Sequence, residues 1–191
     1  MFKSSKKRIT DLTLCLACSL LLILPILALT ILIRLTSKGP AFYWSDRVGK
    51  ENIIFRMPKF RSMRIDTPVV ATHLLTSPEA YLTPIGSFLR KSSLDELPQL
   101  WNIFKGDMSF VGPRPALFNQ DDLIELRTRA GVHRLVPGLT GWAQINGRDE
   151  LSIAEKVRLD KEYLERQSLA LDIWILWLTA RKVFKAHGIS H

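Results

Sequence analysis

Leu12 to Ile33 reads LTLCLACSLLLILPILALTILI, a run without one charged side chain. As a helix rising about 1.5 Å per residue it reaches roughly 33 Å, enough to cross the hydrocarbon core of a bilayer. A secretory signal has an apolar region of only about 7–15 residues and a small-residue cleavage site, so this run reads as retained. Asp11 and Arg34 bracket it; Lys3, Lys6, Lys7 and Arg8 precede it, and Arg34, Lys38, Arg47 and Lys50 follow. Basic flanks favour the cytoplasmic side, and both flanks cannot lie there if the helix spans straight. Pro25, in the middle, removes a backbone hydrogen bond and clashes with the preceding turn. A helix that enters, turns at Pro25 and leaves on the same side reconciles charge with proline. A kinked transmembrane anchor is the other reading, because proline is tolerated in bilayer helices.

The remainder is long enough for one compact domain. This gives an N-terminal basic flank and membrane helix over 1–38 and a folded domain over 39–191. The net charge of +9 calls for an anionic partner: nucleic acid, a nucleotide-linked substrate or anionic lipid. Nucleic acid is disfavoured, because the basic residues stand beside apolar segments rather than in one stripe. Cys15 and Cys18 have C-x-x-C spacing but sit inside the apolar run, with no preceding strand, and read as small buried side chains rather than a redox pair.

Outward from Gly39 the pattern shortens. Pro40–Trp44, Ile53–Arg56 and Pro58–Met63 are aromatic and β-branched clusters broken by Gly49, Lys50 and Asn52, which predicts a β-hairpin. Lys59 and Arg61 alternate there with Phe60 and Met63, either as a solvated strand face or as a basic edge toward an anion. Residues 65–84 carry three prolines and little periodicity and read as loop. Leu97, Leu100, Trp101 and Phe104 fall on one helical face, ended by Gly106; with Pro98 in its first turn, the helix begins near Asp95. Met108–Val111 reads as a short strand, Asp122–Ala130 as a helix, Val136–Arg148 as a glycine-rich loop and Ser152–Gln167 as a charged helix. Leu171–Phe184, with Trp174, Trp177, Arg181, Lys182 and Lys185, suits a helix lying at a membrane surface or an ordinary core helix.

Asp95 and Glu96 admit two readings, a helix cap and a reaction centre. Ser93-Leu94-Asp95-Glu96 fits an S-x-x-E capping box, and acidic residues favour helix starts. A helix start also binds phosphate; one ionised carboxylate there can attack phosphorus while its neighbour holds a divalent cation. Arg90 before the pair and Arg114, stiffened in Gly112-Pro113-Arg114-Pro115, are candidate phosphate clamps.

Leu94-Asp95-Glu96-Leu97-Pro98-Gln99-Leu100-Trp101-Asn102, the Lys105–Pro115 segment KGDMSFVGPRP, the Pro137–Arg148 segment PGLTGWAQINGR and Lys59-Phe60-Arg61-Ser62-Met63 together resemble the signatures of the bacterial sugar transferase family, the monotopic phosphoglycosyl transferases. The resemblance covers nearly the whole chain, and its size is that of the minimal members.

That resemblance implies an α+β, mostly helical fold: a re-entrant membrane helix broken at Pro25, a small β-hairpin and interfacial amphipathic helices around a compact catalytic core. It implies transfer of a phospho-sugar from a UDP-sugar to polyprenyl (undecaprenyl) phosphate, releasing UMP, at the cytoplasmic face of the bacterial inner membrane. Asp95 would be the nucleophile that forms a covalent phospho-sugar intermediate, and Glu96 would bind Mg²⁺. Lys59, Arg90 and Arg114 would contact phosphate; Pro113, Pro137, Gly138, Thr140, Gln144 and Arg148 would shape the nucleotide-sugar pocket. The partners expected are the UDP-sugar, the polyprenyl phosphate, the bilayer and a second copy of the chain, with no nucleic acid. The family's helix breaks at Ser-Pro, whereas this chain has Leu24-Pro25, so a hydrogen bond that helps the break is absent. The competing reading is a membrane-tethered protein that binds anionic lipid or nucleotide without chemistry. The transferred sugar is not written in the sequence.

Overall fold

Helix α1 (Ser4–Thr36) carries the apolar run through Pro25 as one helical element. The computed structural model describes residues 4–68, 77–147 and 150–187. Proline deprives the Leu21 carbonyl of its intrahelical donor; the leucines and alanine around it are strong helix formers and hold the period. Among the described residues this is the one helix long and apolar enough to cross a membrane.

Its two sides differ. Cys15, Cys18, Leu22, Ile26, Leu29 and Ile33 recur at three- and four-residue steps and pack inward, as a 3.6-residue period requires. Leu16, Leu20, Leu21, Ile23, Leu24, Leu27, Ile31 and Leu35 are each more than half exposed. The helix therefore lies along the rest of the chain, its first half on one apolar core and its second half on another. Cys15 is buried as expected, donating its S–H to the Leu100 carbonyl at 3.3 Å, and both cysteines are free.

Polar contacts fix the ends of α1. Arg8 donates to the Ile103 and Phe104 carbonyls at 2.5 and 2.6 Å, satisfying the last turn of α3 (Leu100–Lys105). Asp11, buried, accepts from Ser109 Oγ and Phe110 N, both at 3.1 Å. At the other end Ser37 folds its hydroxyl back on the Ile33 carbonyl, and Gly39 turns the chain at φ +94°.

The expected hairpin forms from β1 (Phe42–Val48) and β2 (Ile54–Phe60), antiparallel, with Phe42 opposite Phe60 and Val48 opposite Ile54. Beyond it come α2 (Gly86–Lys91), a 3-10 turn over Leu94–Gln99, and α3, which ends at Gly106 with φ +97°. The single helix expected from Asp95 to Phe104 is thus divided. Three residues per turn rotate the following face, so Leu100 and Ile103 enter the core. Trp101 and Phe104, predicted on the packed side, are instead 54% and 59% exposed and stack on each other.

Strand β3 (Ser109–Val111) leads into the Gly-Pro-Arg-Pro turn, and α4 (Asp121–Arg129) follows. The segment expected to be loop over 136–148 contains β4 (Gly138–Thr140), parallel to β3, and the one-turn α5 (Trp142–Ile145). Three-residue strands leave no alternation to detect. The glycines serve this pairing: a Cβ on Gly138 would lie 2.1 Å from the Gly112 nitrogen, and one on Gly141 2.0 Å from the Gly112 carbonyl oxygen.

Helix α6 (Ile153–Arg166) and α7 (Leu169–His187) complete the chain. Ile175 and Asp172 of α7 are buried, while Ile173, Trp174 and Trp177 face outward, the two indoles stacked and Arg181 over Trp177. The fold is mostly helical, with a small antiparallel hairpin and one long apolar N-terminal helix.

Candidate active site

Four elements converge on Asp95 and Glu96. Both carboxylates stand in the 3-10 turn, and Lys59 reaches them from β2, beside Phe60, whose ring stacks on Phe42 and fixes the strand end. Lys59 Nζ lies 2.8 Å from Glu96 Oε1 and 3.9 Å from Asp95 Oδ2. Arg114 Nη2, from the turn after β3, lies 3.5 Å from the same Glu96 oxygen. Arg90, in the last turn of α2, donates toward Met63 Sδ and acts on Asp95 as an attractive charge.

The serine expected to cap this helix does not. Ser93 has φ +57°, in the left-handed region, and its hydroxyl caps no N–H; the Glu96 amide hydrogen-bonds the Ser93 backbone carbonyl instead. Glu96 turns to Lys59 and Arg114 rather than back to Ser93. Charge-assisted bonds in a partly buried cleft are stronger than one neutral cap, so the capping box fails here.

The electrostatics favour a reactive carboxylate. Burial raises the Asp95 carboxyl above its ordinary range; Lys59 pulls it down, Glu96 pushes it up, and Arg90 and Arg114 pull it down. Burial lowers the Lys59 ammonium, which Glu96 raises again and Arg114 lowers. Asp95 is thus a largely buried carboxylate with Lys59 at 3.9 Å, less tightly paired than Glu96 with the same lysine at 2.8 Å.

One basic residue escaped the sequence reading. Arg47 of β1 follows the basic flank of the apolar run in sequence, yet burial, helped by Arg114, brings its guanidinium down to about 10. Its Nη1 donates to the Pro115 carbonyl at 3.3 Å. An arginine inside an aromatic strand was the available signal.

The expected pocket residues lie behind the Arg114 turn. Pro113 and Pro137 line a cavity of about 30 Å³ with Val48, Gly49, Arg127 and His133, room for about one water. Gly138 and Thr140 form β4, Thr140 sharing a 2.7 Å hydrogen bond with Thr179 of α7. Gln144 donates to the Leu139 carbonyl at 3.3 Å, and its buried Oε1 has no hydrogen bond among the described residues. Arg148 is outside the described residues.

No group of three or more acidic, histidine or cysteine ligands occurs among the described residues. The adjacent Asp95 and Glu96 fit a hard cation that takes one or two carboxylates and completes its shell with substrate phosphate and water.

A model of the bacterial sugar transferase family matches residues 2–186. The chain is 42% identical over 189 residues to the uncharacterized sugar transferase EpsL of Bacillus subtilis (strain 168), covering 96% of this chain and 90% of that one. It is 41% identical over 165 residues to the UDP-glucose:undecaprenyl-phosphate glucose-1-phosphate transferase of Xanthomonas campestris pv. campestris, covering 82% of this chain and 34% of that one. Against the undecaprenyl-phosphate galactose phosphotransferase of Salmonella typhimurium (strain LT2) the identity is 37% over 166 residues, 78% of this chain and 34% of the other. The chain thus spans nearly all of EpsL and about a third of the other two.

Proposed function

Because the chain belongs to the bacterial sugar transferase family, we propose that it transfers a phospho-sugar from a UDP-sugar to a polyprenyl phosphate, releasing UMP. The observation that carries this reading is the pair Asp95 and Glu96 facing Lys59, Arg90 and Arg114 in one partly buried cleft.

The cations receive the diphosphate. An oxygen of ionised Asp95 forms a bond to the β-phosphorus, and the bond from that phosphorus to the bridging oxygen breaks, so UMP leaves with the bridging oxygen. The phosphate oxygen of the polyprenyl phosphate then attacks the same phosphorus and returns Asp95 as carboxylate, leaving a lipid diphosphate-linked sugar. Mg²⁺ held by Glu96 would screen the negative charge of the meeting groups. The Pro113 turn and the Pro137–Arg148 segment, including Gly138, Thr140 and Gln144, would shape the nucleotide-sugar side. Relatives named for glucose and for galactose match alike, so the sugar is left open.

The apolar helix serves as a re-entrant anchor rather than a span. Although α1 runs through Pro25 as one helix, its two halves pack on two apolar clusters of the chain, and basic residues flank both ends. The exposed leucines of α1 and the outward Trp174 and Trp177 of α7 supply apolar and interfacial surface for a membrane. On this reading the catalytic cleft lies on the cytoplasmic face of the bacterial inner membrane, where UDP-sugars occur.

Incubating the chain in lipid nanodiscs with polyprenyl phosphate, Mg²⁺ and a panel of UDP-sugars should release UMP with at least one. Without the lipid acceptor, labelled phospho-sugar should remain on the protein, and Asp95→Asn should abolish both signals. Ligand binding with no UMP from any donor would return the chain to the tethered-binder reading; near-normal turnover by Asp95→Asn would remove the covalent route.

A further inference from the structure

The clamp Arg114 stands on a backbone whose carbonyls are all engaged. Gly138 N donates to the Pro113 carbonyl at 2.9 Å and Val48 N to that of Ala116 at 3.0 Å. Between them the Arg114 carbonyl accepts from Arg127 Nη1 at 2.8 Å and the Pro115 carbonyl from Arg47 Nη1 at 3.3 Å. Prolines at 113 and 115 fix φ there but leave the peptide planes beyond Arg114 to be set by the donors to their carbonyls.

Arg127 is itself held. Its Nε and Nη2 both donate to Asp160 Oδ2, at 2.9 and 2.6 Å, and the two side chains are 11% and 2% exposed. Two arms of a planar guanidinium are therefore spent on Asp160 of α6, and the third is aimed at the Arg114 carbonyl. A lysine ammonium can match the charge of Asp160 but has no rigid fork.

We propose that Arg127 and Asp160 are positioning residues that set the place of Arg114, and through it the donor's diphosphate, without touching substrate. The proposal rests on the transferase reading for its consequence in rate, and on the geometry alone for its consequence in the turn. Arg114 can follow a shift of its own carbonyl directly, and misplacement by about 1 Å at a reacting centre can cost ~10²-fold.

The test is Arg127→Lys, with Arg127→Gln as the harsher variant, in nanodiscs. Arg127→Lys should melt near wild type, since the charge pair persists, yet lose about tenfold or more in kcat/KM for UMP release. Placed on Arg114→Ala, it should cost nothing further, because the residue it acts through is gone. Amide exchange should quicken over residues 112–117 and stay unchanged over 54–60. A purely structural ion pair predicts the opposite: a lower melting temperature, on wild type and on Arg114→Ala alike, and unchanged specific activity of the folded protein. Wild-type kcat/KM or wild-type exchange over 112–117 in both variants would overturn the proposal. If the parent chain releases no UMP from any donor, the transferase reading falls, and the exchange measurement still decides the positioning.

Discussion

Ser93-Leu94-Asp95-Glu96 and Ser152-Ile153-Ala154-Glu155 share one local pattern and fold differently. At the second, Ser152 Oγ accepts from the Glu155 amide at 3.2 Å and Glu155 Oε2 accepts from the Ser152 amide at 3.0 Å, a reciprocal cap that opens α6. At the first, Ser93 is left-handed, its hydroxyl caps nothing, and Glu96 faces Lys59 and Arg114. The serine and glutamate are the same; the surroundings are not. Glu155 is exposed and has only its own turn to bond, whereas β2 and the Arg114 turn bring two cations to Glu96. A tetrad caps a helix when nothing distant reaches it and becomes a site when something does.

The largest effect should separate the two tetrads by function. Asp95→Asn is expected to lower UMP release by ~10⁶-fold, the scale on which removing a nucleophile acts, and also to raise the melting temperature. The sign follows from burial. The folded carboxyl is raised above its unfolded value, so its contribution to stability is present at low pH and lost as pH rises through the folded value. At pH 7 the ionised Asp95 is a cost that asparagine removes, while Lys59 keeps Glu96. A lower melting temperature for Asp95→Asn would make the first tetrad structural after all.

The pH dependence comes next and runs in opposite directions at the two sites. Because catalysis uses ionised Asp95, the acid limb of UMP release should lie above the ordinary aspartate value of about 3.9. Lys59→Met removes the strongest downward pull and should move that limb further toward neutral in what activity survives. Glu155 is lowered by its bonds to Ser152, so its stabilisation is present above the ordinary glutamate value and lost as pH falls through the folded one. An acid limb at or below the ordinary aspartate range would separate Asp95 from the rate.

These contrasts show what was legible in the chain. The long helix, the hairpin, the Gly106 stop and α6 rest on local signals: an uncharged run, aromatic clusters around a turn, one glycine, a serine with its glutamate. The candidate cleft was found through a resemblance spread over several motifs; from spacing alone Asp95 and Glu96 also suited a cap. What stayed hidden depends on contacts between distant segments. The parallel pairing of β3 with β4 needs Gly112 and Gly138 to touch across the turn. Arg47 looked like part of a membrane flank because its burial is created by the 112–117 segment, and Arg127 with Asp160 carried no motif. The outward turn of Trp101 and Phe104 follows from the six-residue 3-10 turn before them, which helical periodicity does not contain.

The smallest effect is the sharpest on the comparison itself. Ser152→Ala removes a working cap and should cost ~1 kcal/mol, about 2–4 °C in melting temperature for a chain of this size, with UMP release unchanged. Ser93→Ala deletes a hydroxyl that caps nothing and should leave the melting temperature within a degree or so of wild type. Ser93→Gly goes further: at φ +57° a residue with a Cβ is strained, and glycine is not. The relief should outweigh the extra freedom glycine gives the unfolded chain, so Ser93→Gly should melt slightly above wild type. The two alanine variants therefore divide the matching tetrads with one measurement. Equal losses would mean that Ser93 caps its helix in solution and that Glu96 returns to it, while a loss at Ser152 alone keeps Glu96 committed to the cations.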